Sequence, residues 1–143
     1  MNTLQKKLSK KAFIKSLTAF YDEYAIDPNE CFVSHGGAML MHDLRSGTDD
    51  IDLNVSEGVW NYLLEMDNFE LKHLPKNGNV EAVDILVVNE DIDVHLVNLK
   101  PEGLISEGVI LFTTLEQTYE DKLALGREKD IQDIKLLKVA MGK

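Results

Sequence analysis

A single cysteine, Cys31, leaves the chain without an intrachain disulfide or a cysteine metal cluster, so packing must hold the fold. A reducing, cytoplasmic setting is expected. No apolar run approaches the roughly 20 residues needed to cross a bilayer, so no membrane partner is expected. With three prolines and 44% hydrophobic residues, the composition is that of an ordinary globular protein. Basic residues are also scarce, at 15 Lys and Arg against 25 Asp and Glu. Affinity for a polyanion comes from cations that displace counterions along phosphates, so a net charge of -10 argues against non-specific DNA binding. Five of those cations are lysines in the first 15 residues, which contain no acid. Apolar residues are scattered among them at helical spacing, so they read as a solvated helix face and not as a secretion signal. What is present, over 143 residues, is enough apolar material for one core, and a single domain over 1–143 is expected.

Hydrophobic periodicity divides the chain. Leu4, Leu8, Phe13, Leu17, Phe20, Tyr21 and Tyr24 recur at three- and four-residue steps, which predicts an amphipathic helix over 4–24 in an N-terminal segment 1–25. Asp27-Pro28-Asn29 ends it. Cys31-Phe32-Val33 reads as a buried strand, and Gly36-Gly37 marks its junction with a short helix over 37–44. From 50 to 55 the alternation is strict: Asp50, Asp52 and Asn54 lie on a wet face, Ile51, Leu53 and Val55 on a dry one. Ser56 is placed to cap a helix whose stripe, Val59, Trp60, Leu63 and Leu64, should cover the dry face.

Three more strands are predicted over 69–74, 80–88 and 91–98, the first two joined by an Asn77-Gly78 turn. The third repeats the two-faced pattern, with Asp91, Asp93 and His95 on one side and Ile92, Val94 and Leu96 on the other. A short strand over 109–112 closes a sheet core spanning 31–112. Thr114 to Gln117 has capping-box spacing before a helix through Tyr119 and Leu123 that Gly126 stops. Ile131, Ile134, Leu137 and Met141 mark a last helix, so 114–141 adds two C-terminal helices. The expected class is α+β, a mixed sheet with helices packed on one face.

The polar residues fall where chemistry can use them. Carboxylates at i and i+2 of a strand point the same way, so Asp50 and Asp52 can converge on a hard cation. Mg²⁺ or Mn²⁺ suits a pair of carboxylates completed by substrate phosphates. A third carboxylate from a neighbouring strand would complete a two-metal site; Asp93 is the first choice, then Asp91, then Asp84, which sits in an almost wholly apolar strand and should be buried. Gly36 and Gly37 let backbone approach a phosphate, Ser34 adds a hydroxyl, and Arg45 and Thr48 lie between glycines and acids where they can hold a triphosphate. His35 is close enough to touch a nucleotide, and His95 reads slightly better as facing solvent.

Gly36-Gly37, a short apolar helix, Arg45, Thr48 and Asp50-Ile51-Asp52-Leu53 resemble the signature of the DNA polymerase beta-like nucleotidyltransferase superfamily. Asp93-Val94-His95 is similar to the strand that brings the third carboxylate in antibiotic nucleotidyltransferases of the lincosamide and aminoglycoside kind. Lys122, Arg127, Lys129, Asp130 and Asp133 resemble the C-terminal motif of abortive-infection-type toxin nucleotidyltransferases. Together these cover about 32–137. The resemblance implies a nucleotidyltransferase-like fold in which Asp50, Asp52 and Asp93 bind metal and an NTP. Lys122 and Arg127 can then hold phosphate from across the cleft, or form helix-end salt bridges with Glu128, Asp130 or Asp133. The implied reaction moves NMP from an NTP to an acceptor hydroxyl and releases pyrophosphate, the acceptor being a small molecule, a protein or a transfer RNA end. The rival is an inactive version of the fold that senses nucleotide or binds a toxin–antitoxin or defence partner, and in it Asp93 would lie too far from Asp50 and Asp52 to share a metal.

Overall fold

A computed structural model of the chain describes residues 7–78, 80–98 and 100–142. Its frame is a seven-stranded mixed sheet in the order β3-β4-β5-β2-β1-β7-β6. The strands are β1 (Cys31–Val33), β2 (Ile51–Val55), β3 (Glu70–Leu74), β4 (Val83–Val87), β5 (Ile92–Leu96), β6 (Ile105–Glu107) and β7 (Ile110–Phe112). The central pair, β2 and β5, is parallel, as are β1 and β7, and the remaining neighbours are antiparallel.

Alternation along β2 and β5 puts Ile51, Leu53, Val55, Ile92 and Val94 into one apolar cluster. Helix α1 (Lys10–Glu23) adds Phe13, Leu17, Phe20 and Tyr21, and α3 (Glu57–Met66) adds Val59, Trp60 and Leu63. Leu64, expected in that stripe, is exposed. Ser56 caps α3 by accepting from the Val59 amide at 3.4 Å.

Helix α1 begins later than its periodicity predicts, because Ser9 caps it by accepting from the Ala12 amide at 3.2 Å. Leu8 lies outside the helix and pairs with Thr48 through two backbone bonds of 2.7 and 2.9 Å. Leu4 falls outside the described residues. The bridge ties the chain before α1 to the loop that leads into the acidic strand.

Helix α2 (His35–Met41) starts two residues before the expected position, so the glycine pair lies inside its first turn. Gly37 is required by packing: a Cβ there would sit 2.5 Å from Val33 Cγ1 and 2.9 Å from Phe13 Cζ. Asp43, in the left-handed region at φ 63°, follows the end of the helix.

Towards the sheet edges the expectations needed more correction. β4 is shorter than predicted, and Val80 instead closes the Gly78 turn by bonding Asn77 in both directions. Asp84 is exposed, not buried, because it lies before the stretch of β4 that pairs with β5 and stands opposite only His73 of the fully exposed edge strand β3, whose Nδ1 meets its carboxylate at 2.6 Å. Strand β6 carried no readable pattern, being three exposed residues joined to β7 by the Gly108 turn.

The C-terminal helices α4 (Leu115–Leu125) and α5 (Ile131–Ala140) pack on each other, and α4 also packs on α2. Thr114 caps α4 through the Gln117 amide at 3.0 Å, and Gly126 ends it at φ 59°. Their inner faces differ from the predicted apolar stripes. Helix α4 buries Thr118 and Lys122 while Leu123 is exposed, and α5 buries Asp133 and Leu137 while Ile131 is exposed. Charge took the inward positions because each buried ion has a partner across the helix pair.

Candidate functional site

Parallel pairing of β2 with β5 sets Asp52 directly opposite Asp93. Asp50 precedes β2 by one residue and shares Asp52's side of the chain. One oxygen from each of Asp50, Asp52 and Asp93 lies within 4.8 Å of the others, and among the described residues this is the acid, histidine or cysteine group able to hold a metal ion. Asp91 and Asp84, the other candidates for the third carboxylate, are not in it.

His95 belongs beside these acids and does not simply face solvent. It lies two residues beyond Asp93 on the same side of β5, with Nε2 3.3 Å from Asp52 Oδ1. Burial and the charges of Asp52, Asp93 and Asp49 push the Asp50 carboxyl up to about 6. Burial and Asp52 push Asp93 upward too. Burial acts in the same direction on Asp52, but the hydrogen bond and charge of His95, with His35 and Lys122, outweigh it and hold that carboxyl below its ordinary value.

Asp50 and Asp52 open into a polar cavity of about 450 Å³. Gly36, Arg45 and Thr48 border it on one side, Lys122, Arg127 and Asp133 on the other. Gly36 is bare because the Arg45 guanidinium passes over it: an added Cβ would lie 2.8 Å from Nη1. Thr48 donates to the Asp50 carbonyl at 3.3 Å and so braces the turn into β2.

The cations opposite the acids form one network. Lys122, buried, reaches Asp130 at 3.2 Å and Asp133 at 3.1 Å. Arg127 clasps Asp130 with Nε at 2.8 Å and Nη2 at 3.0 Å, and Arg45 pairs with Asp133. The salt bridges foreseen for Lys122 and Arg127 are therefore present, with Asp130 and Asp133 as their partners, and both cations border the acidic cavity. Three cations share two acids, which leaves this network one positive charge in excess across the cavity from Asp50 and Asp52.

Ser34 does not border that cavity. Its hydroxyl accepts from Asn54 Nδ2 at 2.8 Å, and Asn54 also donates to the Phe32 carbonyl at 3.2 Å. Asn54 was expected on a wet face, but β1 lies antiparallel beside it, sets Phe32 opposite and buries it. Ser34, His35 and Asn54 line a second, half-apolar cavity of about 400 Å³. Asp121 and Gln117 of α4 line it as well; the sequence marked Gln117 only through its capping-box spacing from Thr114, and Asp121 not at all.

No protein-family model matches the chain, and no curated protein matches it in sequence. Among solved structures it is similar to an aminoglycoside nucleotidyltransferase, ANT(2")-Ia in complex with adenylyl-2"-tobramycin. The TM-score is 0.57 at 16% identity, over 90% of this chain and 87% of that one. The fold is therefore nucleotidyltransferase-like, a mixed α+β architecture with a seven-stranded sheet. No described helix is long and apolar enough to cross a membrane.

Proposed function

We propose that the protein is a metal-dependent nucleotidyltransferase that moves a nucleoside monophosphate from an NTP to an acceptor hydroxyl. The convergence of Asp50, Asp52 and Asp93 on one side of a nucleotidyltransferase-like sheet carries this reading. The nearness of Asp93 to Asp50 and Asp52 favours the enzyme over an inactive relative, in which it would lie too far away to share a cation.

The donor set fits a hard divalent cation, Mg²⁺ or Mn²⁺: three carboxylates crowd together, and burial, with their mutual repulsion, raises Asp50 and Asp93. Asp50, Asp52 and Asp93 would hold it. When bound, such a cation draws charge from the phosphates and makes the α-phosphorus easier to attack.

The chain's own groups do the rest. Arg45, Lys122 and Arg127, with Gly36 and Thr48, surround the cavity where the triphosphate lies, and Gly37 sets the close approach of α2 to the core. Ser34 lies outside that cavity and holds Asn54 by accepting a hydrogen bond from its amide. Asp93 accepts the proton of the acceptor hydroxyl. The acceptor oxygen forms its bond to the α-phosphorus as the bond to the bridging oxygen breaks, and pyrophosphate leaves with that electron pair. The neighbour's ligand, adenylyl-2"-tobramycin, is an acceptor carrying a nucleoside monophosphate, the type of product proposed here. Small molecules, proteins and transfer RNA ends remain the acceptor classes to screen.

The test is incubation with Mg²⁺ or Mn²⁺ and each α-labelled NTP, with release of pyrophosphate followed alongside label transfer. Wild type should transfer label, while Asp50→Asn and Asp52→Asn should lose on the order of 10²–10³ in rate. Metal–nucleotide binding unchanged in both variants would sink the reading.

A further inference from the structure

Two cavities are lined by the same elements, α2, β2 and α4, and consecutive residues divide between them twice. On α2, His35 lines the half-apolar cavity and Gly36 the polar one; on α4, Asp121 lines the former and Lys122 the latter. Asn54 of the half-apolar cavity lies two residues beyond Asp52 on the same side of β2. The half-apolar cavity is thus within one residue of the polar one along both α2 and α4, where the rest of a ligand with its phosphates in the polar cavity can reach.

The walls of that second cavity describe the part it would take. Phe32, Val97, Ala124 and Leu125 offer apolar surface for a flat ring. Its volume of about 400 Å³ is within the ordinary range for ligand pockets. On the polar side, Gln117 Nε2 donates to Asp121 Oδ1 at 2.9 Å, which commits an amide N–H and leaves the amide carbonyl oxygen as an acceptor. The Asp121 carboxylate is acceptor-only when ionised. His35 sits at φ 56°, a costly conformation for a residue with a side chain, and its Nδ1 is buried without a hydrogen-bond partner. Burial also disfavours the charged form of this imidazole.

We infer that this cavity binds the nucleobase of the donor triphosphate and that its acceptor-rich wall, Asp121 with Gln117, selects guanine. Guanine sets two donors, N1–H and the 2-amino group, side by side, so a carboxylate can receive both. Adenine and cytosine set an amino group beside an acceptor, and uracil sets one N–H between two carbonyls. Each of those bases leaves a carboxylate oxygen facing another acceptor. The inference rests on the nucleotidyltransferase reading, because that reading puts a nucleoside triphosphate in the adjoining cavity.

The experiment is equilibrium competition, in Mg²⁺, of GTP, ATP, CTP, UTP, xanthosine triphosphate and inorganic tripolyphosphate against a labelled nucleotide. Wild type should prefer GTP by about 10-fold or more over the other three common nucleotides. Asp121→Asn replaces one acceptor by a donor, so it should lose the GTP preference and gain affinity for xanthosine triphosphate, whose second carbonyl accepts from the new amide. Asp121→Ala should lose discrimination while binding tripolyphosphate as wild type does, which also shows that the variant is folded. Equal binding of the four common nucleotides, tripolyphosphate competing as well as GTP, or an unchanged preference in Asp121→Asn would overturn the assignment. Binding of neither nucleotides nor tripolyphosphate would instead overturn the nucleotidyltransferase reading beneath it.

Discussion

Helices α1 and α3 press Phe13, Leu17, Trp60 and Leu63 onto the dry side of the sheet, whereas α4, α5 and the turn between them direct Lys122, Asp133 and Asp130 inward. The first arrangement removes apolar surface from water and stabilises the fold in proportion to area. The second contributes little net stability, since the cost of desolvating ions offsets most of their attraction. What it supplies is placement: Arg45 from the loop before β2, Lys122 from α4 and Arg127 from the turn before α5 are held together by two aspartates, facing the acidic strands. One side of the molecule holds it folded and the other holds charges in position.

The contrast can be broken most forcefully at one residue on each side. Lys122→Met leaves Asp130 and Asp133 buried with one cation fewer and should cost about 3–5 kcal/mol, the usual range for breaking a buried pair. Leu17→Ala, at a fully buried site, should cost roughly 2–5 kcal/mol. Urea unfolding separates them, because only the Lys122→Met loss should shrink when Asp130 and Asp133 are also neutralised.

Acid gives the next largest effect. Burial alone would raise the Asp130 carboxyl, but hydrogen bonds from Arg127 and Lys122 outweigh it and bring it down to about 2 from an ordinary 3.8. A depressed folded value means stability that is fully present above 3.8 and lost as pH falls through about 2, worth roughly 2 kcal/mol. The stability gap between wild type and Asp130→Asn, measured by urea midpoints at pH 5 and near pH 2, should close accordingly. Leu17→Ala should show the same deficit at both.

The glycine pair gives a smaller and finer distinction. Gly37→Ala meets Phe13 and Val33 in the core and should cost about 1–3 kcal/mol in stability. Gly36→Ala meets only the movable Arg45 guanidinium and Thr48 hydroxyl, so its unfolding midpoint should change by less. Its larger effect should be on nucleotide binding, through the displaced arginine.

These differences also explain what could be read from the sequence. The apolar side was legible, because burial on one side of a helix or strand leaves a period: Phe13, Leu17, Phe20 and Tyr21 were read together and are buried together. Asp50 and Asp52 were legible for the same reason, through alternation, and the opposing position of Asp93 needed only the pairing of two similar strands. The charged side was not. Helices α4 and α5 bury lysine and aspartate beside Leu137, so their apolar residues mark the inward side only in part, and Leu123 and Ile131 lie outside it. The Asp84–His73 pair and the burial of Asn54 depend on which strand lies alongside, and periodicity within one strand carries no record of its neighbour.

Mn²⁺ binding followed by electron paramagnetic resonance tests the central assignment most directly. Wild type should bind Mn²⁺, Asp52→Asn and Asp93→Asn should each weaken it by about 10-fold or more, and Asp84→Asn should leave it unchanged. Equal Mn²⁺ affinity in wild type, Asp52→Asn and Asp93→Asn would contradict the account.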